Sequence, residues 1–541
     1  MSQEFSSPRA DLPGRPESHW LATTDADDLT IGPSATVVDL ESDRPVDVAV
    51  VGGGIAGLST AIHCRERDLS VVLLERDRIG SGTTGRSTGK LTSQHGLVYD
   101  HLRREFGLEA ARRYAAANES AIEEVERRIE ALGVDCGFER GPSYLYGDDR
   151  DALEREAEAA RAAGLDVSLV TSAPPFERAE AAVRLEGQAW FHPRRYLLAL
   201  AERLREDDGA AVVAGARVTD VEGGTAVDRG SPRVRTANGP TVAADHVVVA
   251  TGFPILDRAG YVARTHPRRS YVLALRLRRA PPSAIYYRIG DPYRSVRPVA
   301  EASGVGDGAN DGHLLLVAGE NHKTGQGGSA ADRYRRLERW ARERFPVESV
   351  VRRWSAQDYV PADRVPLIGR AGPGLENVSV ATGFRGWGLT GGTVAGRLLA
   401  ARIDGESPPE RDLFDPLRFT PKPSFTATVI ENADAASQFA TDWLRTLVTP
   451  TGTATAADLA PGEGTVVRTA GLGDPVACAR DADGALHAVS AVCPRDRCIL
   501  AWNDAEHTWD CPCHGSRFSP TGEVLEGPAT GDLPPRPAPR G

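Results

Sequence analysis

The sequence predicts an α/β domain with a parallel sheet, an α+β domain interleaved with it, and a separate all-β domain at the C-terminus. Three observations support this prediction. A strand–turn–helix–strand unit occupies residues 46–74, and further strands alternate with Ala-, Glu- and Arg-rich helices up to about residue 404. The C-terminal part carries clustered cysteines and short apolar runs, behind a Thr-, Ala-, Pro- and Gly-rich stretch at 449–464. A chain of 541 residues is long enough for two or three domains.

Composition and charge exclude several functional classes. The apolar fraction of 41% and the charged fraction of 26% are typical of a globular protein. The net charge of -11 argues against a nucleic-acid partner, which requires a basic face. No run approaches the roughly 18 apolar residues of a membrane span, and the N-terminus lacks the features of an export signal. We therefore expect a cytoplasmic protein without a membrane span.

The elements are predicted in chain order from apolar periodicity. Residues 1–44 are polar and are expected to be irregular, before a buried strand at 46–51, a helix at 55–67 and a strand at 69–74. Amphipathic helices are predicted at 108–132, 151–163 and 331–345. Strands are predicted at 211–221 and 245–250, and an Ala- and Leu-rich helix opened by glycines is predicted at 391–403.

The first turn carries a glycine pattern that is typical of dinucleotide binding. Gly52, Gly54 and Gly57 fit G-x-G-x-x-G between the first strand and the first helix. They permit the tight turn, the backbone approach to a pyrophosphate, and close helix–strand packing. The helix N-terminus then presents N–H groups to the phosphates. Glu75 ends the second strand, where its carboxylate is placed to bind ribose hydroxyls.

Further segments resemble the FAD-dependent oxidoreductases of the D-amino-acid-oxidase type, which include glycine and sarcosine oxidases. These segments are residues 80–85, 247–252, 366–369 and 381–390, so the resemblance spans about 46–404. It implies an FAD-binding Rossmann-type domain with an interleaved α+β substrate domain. The FAD contacts that we expect, besides the residues named above, are Ile55, Ala56, Arg76, Thr83, Thr84, Val218, Ala250, Thr251 and Gly252.

The resemblance also implies that a late glycine-rich loop runs under the flavin and that the following helix points at its pyrimidine ring. Such a helix end stabilises negative charge on the reduced ring. Gly386, Gly388, Leu389 and Thr390 are the candidates for this contact. Some relatives attach FAD through a His or Cys after the residue equivalent to Glu75. Because residues 85–88 read Gly-Arg-Ser-Thr, we expect non-covalent FAD.

The substrate site is less well marked, because hydride transfer to flavin depends on alignment more than on an acid or a base. Arg385 and His95 are catalytic candidates, since both lie within glycine-flanked motifs. Tyr271 is a further catalytic candidate, and Tyr271 and Arg269 are candidates for holding a substrate carboxylate. Other polar residues near the segments expected to face the flavin are Lys90, Arg268, His322 and Lys323. The resemblance implies a small amine or amino acid as the substrate.

The C-terminal segment resembles a Rieske [2Fe–2S] domain in two loops, residues 493–498 and 511–516. A Rieske centre binds one iron through two Cys and the other through two His. Cys493, Cys511 and His514 match three of these ligand positions, whereas Arg495 stands at the remaining His position. Cys498 and Cys513 occupy the places that form a disulfide bond in many Rieske proteins.

The sequence therefore leaves open whether this domain binds a [2Fe–2S] cluster. A guanidinium has no lone pair for iron until it loses a proton, and holding Arg deprotonated at neutral pH costs roughly 7–9 kcal/mol. The fourth ligand is Cys498, Arg495 or another donor, or the domain carries no cluster. Asp496 lies one residue after the position that the second His ligand usually occupies.

The sequence predicts the following domain boundaries: an extension at 1–45, an oxidoreductase domain at 46–425, a connecting helix and linker at 426–463, and a Rieske-type domain at 464–541. Within 46–425, FAD-binding segments (46–107, 190–260 and 355–425) alternate with substrate-domain segments (108–189 and 261–354).

We predict an FAD-dependent oxidoreductase that acts on a small molecule and passes electrons to oxygen or to an electron-carrier protein. The main alternative is an electron-transfer or docking protein in which the Rieske-type domain is structural and carries no cluster. A flavin monooxygenase would need a second nucleotide site, and the sequence shows no second G-x-G-x-x-G.

Overall fold

The computed structural model describes residues 12–24, 45–176, 179–224, 231–237, 239, 241–299, 313–418, 420, 429–430, 432–434, 456–467 and 474–539. The linker predicted at 426–463 therefore lies mostly outside the described residues. Among the residues described, the α-helices include α1 (His19–Ala22), α2 (Ile55–Arg65), α3 (Val98–Glu105), α4 (Leu108–Leu132), α5 (Arg150–Ala162), α6 (Pro193–Arg205), α7 (Tyr261–Arg264), α8 (Ala330–Arg342), α9 (Gly388–Ile403) and α10 (Arg411–Phe414).

The strands divide into three groups along the chain. The first group is β1 (Val46–Val51), β2 (Val71–Leu74), β3 (Lys90–Leu91), β4 (Glu139–Gly147), β5 (Val167–Val170), β6 (Ala181–Trp190), β7 (Ala210–Val213), β8 (Val218–Glu222), β9 (Arg233–Thr236) and β10 (Thr241–Val249). The second is β11 (Thr265–Leu277), β12 (Ile285–Arg288), β13 (Arg294–Pro298), β14 (Leu314–His322), β15 (Val347–Pro361), β16 (Leu367–Arg370) and β17 (Val378–Thr382). The third is β18 (Gly464–Val467), β19 (Val476–Arg480), β20 (Leu486–Ser490), β21 (Ala501–Asn503), β22 (Thr508–Asp510), β23 (Arg517–Phe518) and β24 (Val524–Glu526).

The first sheet is the parallel sheet that the sequence predicts. Its order is β16-β17-β10-β1-β2-β7, in which β1, β2, β7, β10 and β17 run parallel and β16 runs antiparallel to β17. The β1 side chains are almost completely buried, as expected for a strand covered on both faces. The carboxyl ends of β1, β2 and β10 meet at one edge, which is where ligands bind in open α/β sheets.

Helices α2 and α9 pack very closely beside this sheet. A Cβ atom at Gly392 would lie 2.7 Å from Ile55 Cγ2, and one at Gly396 would lie 2.5 Å from Ser59 Cβ. Glycine at these positions therefore lets the two helices approach each other. The packing brings the N-terminal ends of both helices towards the same cavity, whose wall includes Ile55 and Leu389.

The second sheet is mixed and has the order β15-β11-β14-β13-β12-β4-β6-β3, with β5 paired to β6. Helices α4, α5 and α8 pack near it, and its strands come from both halves of the oxidoreductase region. The C-terminal domain contains two small antiparallel sheets, β18-β19-β20 and β21-β22-β23-β24. This is the all-β architecture predicted for this region.

Two predictions about local structure need correction. The strand predicted at 211–221 is broken into β7 and β8 by a turn in which Gly215 has a φ of 73° and donates its N–H to Asp77 O. The extension predicted to be irregular contains α1 within its described part. Trp20 of α1 is fully buried and Ser18 Oγ donates to Gly85 O, so residues 12–24 pack on the oxidoreductase domain.

The C-terminal domain docks directly on the second sheet. Asp504 accepts hydrogen bonds from the α8 N-terminus, at 2.9 Å from Ala330 N and 3.1 Å from Ala331 N. A carboxylate at this helix end is stabilised by the exposed N–H groups and by the helix dipole. Arg269 on β11 also forms an ion pair with Glu526 on β24. The docking thus combines helix capping with an ion pair between a fully buried arginine and a partly buried glutamate.

Candidate functional site

One large cavity starts at the carboxyl end of β1 and continues to the surface of the second sheet. Its volume is about 1430 Å³. A pocket for a single small molecule commonly measures about 300–1,000 Å³, so this cavity has room for a dinucleotide together with a substrate. Of the predicted cofactor contacts, the cavity wall includes Gly52, Gly54, Ile55, Ala56, Glu75, Arg76, Thr83, Thr84, Val218, Ala250, Thr251, Gly252, Gly386, Gly388 and Leu389.

The glycines at the β1–α2 turn fit a pyrophosphate. Gly52 has a φ of 113°, and a Cβ there would lie 2.5 Å from Ala250 O. The N-cap residue Gly54 supplies no side-chain cap for α2, and this helix end lies at the cavity wall, with Ile55 N bonded to Thr84 Oγ1. Gly57 lies behind the wall, where a Cβ would lie only 1.9 Å from Gly52 O. Gly57 therefore permits helix–strand packing and does not itself contact the cavity.

Glu75 and the loop after it form the next part of the wall. Glu75 Oε2 accepts a hydrogen bond from Gly53 N at 2.6 Å, and Oε1 accepts one from Asp77 N at 2.9 Å. Burial raises the pKa of this carboxyl. Thr84 Oγ1 accepts from Ile55 N at 3.3 Å, which ties the loop to the start of α2. These residues fit the adenosine half of a dinucleotide.

The glycine-rich loop before α9 forms the opposite end of the cavity. Gly388 begins α9 and lines the cavity together with Leu389. Asp358 accepts a hydrogen bond from Gly386 N, and burial raises the pKa of Asp358 to about 6. Thr390 is 1% exposed and turns inward, with its hydroxyl 3.3 Å from Thr92 O. The loop and the helix end therefore fit the ring end of FAD, whereas the Thr390 side chain supports them from behind.

Aromatic and basic side chains surround this end of the cavity. The Lys90 ammonium lies 5.4 Å from the Tyr287 ring centroid and 5.3 Å from that of Trp387, and it donates to Ser295 Oγ. Burial, reinforced by repulsion from Arg297, lowers the pKa of Lys90 to about 7. An amine with this pKa exchanges a proton near neutral pH.

His95 lies at the predicted place but is held as a structural group. Its Nδ1 is 2.6 Å from the Tyr114 hydroxyl, its Nε2 is 2.6 Å from Thr92 O, and its ring stacks on Trp387 at 4.8 Å. Burial lowers the pKa of His95 to about 3. A neutral ring with both nitrogens engaged positions Trp387 and is poorly suited to proton transfer.

Two arginines bring positive charge to the same end of the cavity. Arg385 has a φ of 60°, donates to Arg364 O at 2.7 Å, and has its pKa lowered to about 10 by burial. The Arg268 guanidinium lies 5.8 Å from the Tyr293 ring centroid. Both arginines line the cavity, and the charge of Arg268 contributes to the lowered pKa of Arg385. Together they can bind a carboxylate.

The structure does not bring Tyr271 and Arg269 to this pocket. Side chains alternate along β11, so His266, Arg268, Ser270 and Val272 line the cavity and the odd-numbered residues face the other way. The Tyr271 hydroxyl is 3.0 Å from His322 Nε2, and its ring packs against Tyr334. Arg269 is directed at the C-terminal domain. On β11, it is therefore Arg268, and not Arg269 or Tyr271, whose side chain lines the cavity where a substrate carboxylate was expected to bind.

The Rieske-type loops bring together two cysteines, a histidine and an aspartate. Cys498 and Cys513 form a disulfide bond, which removes Cys498 from the candidate fourth ligands. Cys493, Cys511 and Asp496 have their donor atoms within 4.8 Å of one another. His514 Nδ1 lies 3.2 Å from Asp496 Oδ1.

The end of the Arg495 side chain contacts the oxidoreductase domain, although its Nε lies 3.9 Å from Asp496 Oδ1. Its guanidinium lies 3.1 Å from Pro528 O, 3.3 Å from Asp257 Oδ2 and 5.2 Å from the Phe253 ring centroid. Asp257 and Phe253 belong to the oxidoreductase domain. Arg495 therefore contacts that domain rather than serving as the fourth ligand, which corrects the second alternative considered from the sequence.

Sequence reasoning did not identify Tyr287, Trp387 and Tyr293 as wall residues. Trp387 lies inside the glycine-rich motif at 381–390, so its position in that motif could have identified it as a wall residue. Tyr287 and Tyr293 come from β12 and the turn before β13, where the sequence carries no motif. Their position follows only from the order of strands in the second sheet.

Family models match both parts of the chain. A model described as FAD dependent oxidoreductase matches residues 47–402, and a model described as Rieske [2Fe-2S] domain matches residues 451–537. Each helix among the described residues is too short or too polar to span a lipid bilayer.

Curated relatives and solved structures agree with these matches. The putative Rieske 2Fe-2S iron-sulfur protein YhfW of Bacillus subtilis (strain 168) is 34% identical over 519 residues, covering 95% of this chain and 96% of the relative. The gamma-glutamylputrescine oxidoreductase of Escherichia coli (strain K12) is 28% identical over 389 residues, covering 67% and 84%. Glycine oxidase from Geobacillus kaustophilus has a TM-score of 0.55 at 20% identity, covering 70% of this chain and 99% of that chain. This last similarity supports the fold.

Proposed function

The chain belongs to the FAD dependent oxidoreductase family and carries a C-terminal Rieske domain, and from this premise we propose that it oxidises a small amine that bears a carboxylate. The observation that carries the proposal is the pair Arg268 and Arg385 at the aromatic end of the cavity, beside the glycine-rich start of α9. Two guanidinium groups in a cavity wall that also contains aromatic rings suit a compact molecule with an anionic head and an apolar body.

The names of similar proteins support this substrate class. The relative from Escherichia coli is named for gamma-glutamylputrescine, an amine, and solved structures of the same fold include a glycine oxidase and the L-amino acid deaminase of Proteus vulgaris. Each of these printed names refers to an amino acid or an amine. The basic cavity wall of this chain is consistent with such a substrate.

When bound, FAD supplies the acceptor for the hydride that leaves the substrate carbon next to nitrogen. The residues of the chain then have three tasks. Arg268 and Arg385 bind the carboxylate and fix the orientation of that carbon. Tyr287 and Trp387 exclude water from the reacting end. Lys90 accepts a proton from the substrate ammonium, which leaves the nitrogen lone pair free to form the C=N bond as the hydride departs.

We further propose that the C-terminal domain serves as an electron outlet. Gln357 on β15 donates from Nε2 to Gly515 O of the 511–516 loop at 2.9 Å, and its backbone oxygen accepts from Thr83 Oγ1 at 3.1 Å. Thr83 lines the proposed FAD cavity. One residue therefore connects the candidate cluster loop with the flavin site. When bound, a [2Fe–2S] cluster supplies a one-electron carrier.

Anaerobic substrate reduction of the flavin tests the proposed activity. The purified holoprotein is mixed with glycine, sarcosine, L- and D-amino acids and diamines, and the loss of oxidised-flavin absorbance is followed. We expect reduction by at least one carboxylate-bearing amine. If none of these compounds reduces the flavin, the proposed substrate class is wrong.

The Arg268→Met variant tests the substrate contact. Loss of a charged hydrogen bond of about 1.5–3 kcal/mol raises KM for the carboxylate substrate roughly 10- to 100-fold. The matched control is Arg278→Met, an exposed arginine just beyond β11, which should leave KM unchanged. An equal effect of Arg268→Met on amines with and without a carboxylate would contradict the assigned contact.

A further inference from the structure

One continuous segment of the C-terminal domain forms part of the cavity wall. Segment 523–530, which contains β24 and the residues that follow it, lines the same cavity that begins at the carboxyl end of β1. The FAD contacts predicted from the sequence all lie in the oxidoreductase domain. Segment 523–530 is therefore a separate contribution to this wall, made by the other domain.

Segment 523–530 lies at the end of the cavity that fits the adenosine half of a dinucleotide. Arg76, which follows Glu75, donates from Nη2 to Leu525 O at 2.6 Å. Arg217, just before β8, donates to Thr530 O. Because Glu75 and both arginines line the cavity, these two hydrogen bonds hold the segment against its adenosine end.

The middle of segment 523–530 is held as well. The Tyr359 hydroxyl of β15 donates to Gly527 O at 2.8 Å, and Glu526 pairs with Arg269 of β11. Tyr359 is itself a residue of the cavity wall. The oxidoreductase domain therefore contacts the segment near both of its ends and at its centre, which fixes the segment along the cavity.

Arg495 of the first Rieske-type loop strengthens this arrangement. Its Nη1 donates to Pro528 O at 3.1 Å, and its Nη2 lies 3.3 Å from Asp257 Oδ2 in the oxidoreductase domain. Its guanidinium also lies 5.2 Å from the ring centroid of Phe253, which lines the cavity. Arginine has several N–H donors in a fixed fork, so one side chain can make both polar contacts at once. Arg495 thus links segment 523–530 to the oxidoreductase domain.

The Leu525 side chain contributes apolar surface to the cavity. Among the described residues, the hydrophobic core of the C-terminal domain includes the preceding Val524 but not Leu525. Successive side chains of a strand face opposite sides, and Leu525 is partly buried at the cavity wall. Leu525 can therefore contact a ligand in the cavity without being part of the packing of its own domain.

The charges beside segment 523–530 suit an anionic cofactor. The pyrophosphate of a dinucleotide is negative, so an uncompensated carboxylate in the wall would oppose its binding. Glu526 is paired with Arg269, and Arg517 and Arg86 add positive charge near it. Arg517 and Arg86 also line the cavity. Glu526 therefore adds no uncompensated negative charge to this wall.

We propose that segment 523–530 forms the outer wall of the adenosine end of the FAD site, so that the docked C-terminal domain encloses the cofactor and slows its release. FAD then leaves only when this segment moves away from the oxidoreductase domain. The inference concerns cofactor retention. It depends neither on the proposed amine substrate nor on a cluster in the Rieske-type loops.

A photoreactive cofactor tests the position of the wall. The FAD of the full chain is exchanged for FAD that carries an azide on its adenine ring, and the protein is illuminated, digested with trypsin and analysed by mass spectrometry. We expect label in the peptide that follows Arg517, which contains segment 523–530. Label confined to peptides of the oxidoreductase domain would overturn the proposal. The result does not depend on whether any amine reduces the flavin.

The rate of FAD release tests the enclosure. The holoprotein is mixed with an excess of a flavin-binding scavenger protein, and the transfer of FAD is followed by fluorescence. Leu525→Ala removes apolar wall surface but keeps the backbone bond to Arg76, and it should release FAD roughly ten-fold faster. Arg495→Met removes the link between Pro528 and Asp257 and should release FAD roughly three-fold faster or more.

Matched controls make the release test specific. Leu486→Ala removes an exposed leucine of the same domain, and Arg536→Met removes an exposed arginine whose partner Asp474 belongs to that domain. Both should release FAD at the wild-type rate. Circular dichroism and thermal unfolding show that each variant is folded. The proposal is also overturned if folded Leu525→Ala or Arg495→Met releases FAD at the wild-type rate, or if the controls release it as fast as these variants.

Discussion

Arg269 of β11 and Glu526 of β24 form an ion pair that joins the oxidoreductase domain to the C-terminal domain, with the Arg269 side chain fully buried and Glu526 25% exposed. Arg269 also donates to Ser355 Oγ at 2.8 Å and to Gln357 Oε1 at 3.2 Å. Gln357 in turn contacts the candidate cluster loop at Gly515 O. The ion pair therefore holds the two candidate redox sites in a fixed arrangement.

The first prediction concerns this ion pair. Arg269→Met leaves Glu526 without its partner at the interface, and removal of one member of a buried pair costs about 3–5 kcal/mol. The double variant Arg269→Met/Glu526→Gln should lose less than the sum of the two single variants, because the pair acts as a unit. Denaturant unfolding of the four proteins measures the coupling.

A second ion pair at the same interface provides the control. Arg217 and Asp532 lie 3.2 Å apart but are 25% and 50% exposed, so an Arg217→Met/Asp532→Asn cycle should give a coupling of only about 0–1 kcal/mol. Equal coupling in the two cycles would contradict the importance assigned to burial at Arg269.

The second prediction is a loss of docking stability in acid. Burial alone would raise the pKa of Glu526, but Arg269, Arg517 and Arg86 lower it from 4.5 to about 2. Because the folded pKa is below the unfolded one, the stabilisation is complete above about pH 4.5 and is lost as the pH falls towards 2. The lowered pKa of Glu526 corresponds to at most about 3 kcal/mol of the free energy of unfolding. Thermal unfolding from pH 6 to pH 2 should show this loss in the wild type and a shallower slope in Glu526→Gln. Parallel pH curves would argue against the pKa shift.

The FAD-binding half of the site could be predicted because its signals are local. The strand, the three glycines and Glu75 lie within one βαβ unit, so their sequence spacing directly sets their spatial relation. The substrate half depends on long-range strand order. β11 pairs with β15, and a one-residue difference decides whether Arg268 or Arg269 faces the cavity. Because β11 and β15 carry no motif, the sequence does not reveal which of the two arginines faces the cavity.

The cluster loops show a different limit of sequence reasoning. The pattern identified Cys493, Cys511 and His514 as candidates, but the conformation of residues 493–498 depends on Arg497 adopting a left-handed φ of 59°. That turn exchanges the directions of residues 495 and 496 relative to the expected register. Contact between Arg495 and Asp257 stabilises the exchange, and it exists only because the two domains dock.

The third prediction concerns the first turn of the FAD site. A Cβ at residue 57 would lie 1.9 Å from Gly52 O and 3.3 Å from Val50 Cγ1, so Gly57→Ala must displace α2 from β1. We expect a strong loss of FAD per chain together with a lower unfolding temperature. Gly531→Ala is the control, because a Cβ there meets no atom within 4 Å. Full FAD retention in Gly57→Ala would show that the turn tolerates a side chain.

The last prediction concerns Lys90. Burial and Arg297 lower its pKa from 10.5 to about 7, so below pH 7 the folded protein carries a buried ammonium group. Between pH 7 and 10.5 the unfolded chain binds the proton that the folded chain lacks, so stability rises with pH across this window. Lys90→Met removes the penalty. The variant should therefore be more stable than the wild type by up to about 3–5 kcal/mol at pH 6, with the difference disappearing near pH 10.

Unfolding of the holoprotein in denaturant at several pH values between 6 and 10 measures this difference, with Arg278→Met as a variant whose difference from the wild type should not change with pH. The same series tests the proposed role of Lys90 in proton transfer. Flavin reduction by substrate should rise with an ionisation near pH 7 in the wild type, because only the neutral amine accepts a proton, and that step should be missing in Lys90→Met. A stability difference that is constant from pH 6 to pH 10 would mean that Lys90 titrates near its ordinary pKa. Lys90 would then be protonated at neutral pH and could not act as the base.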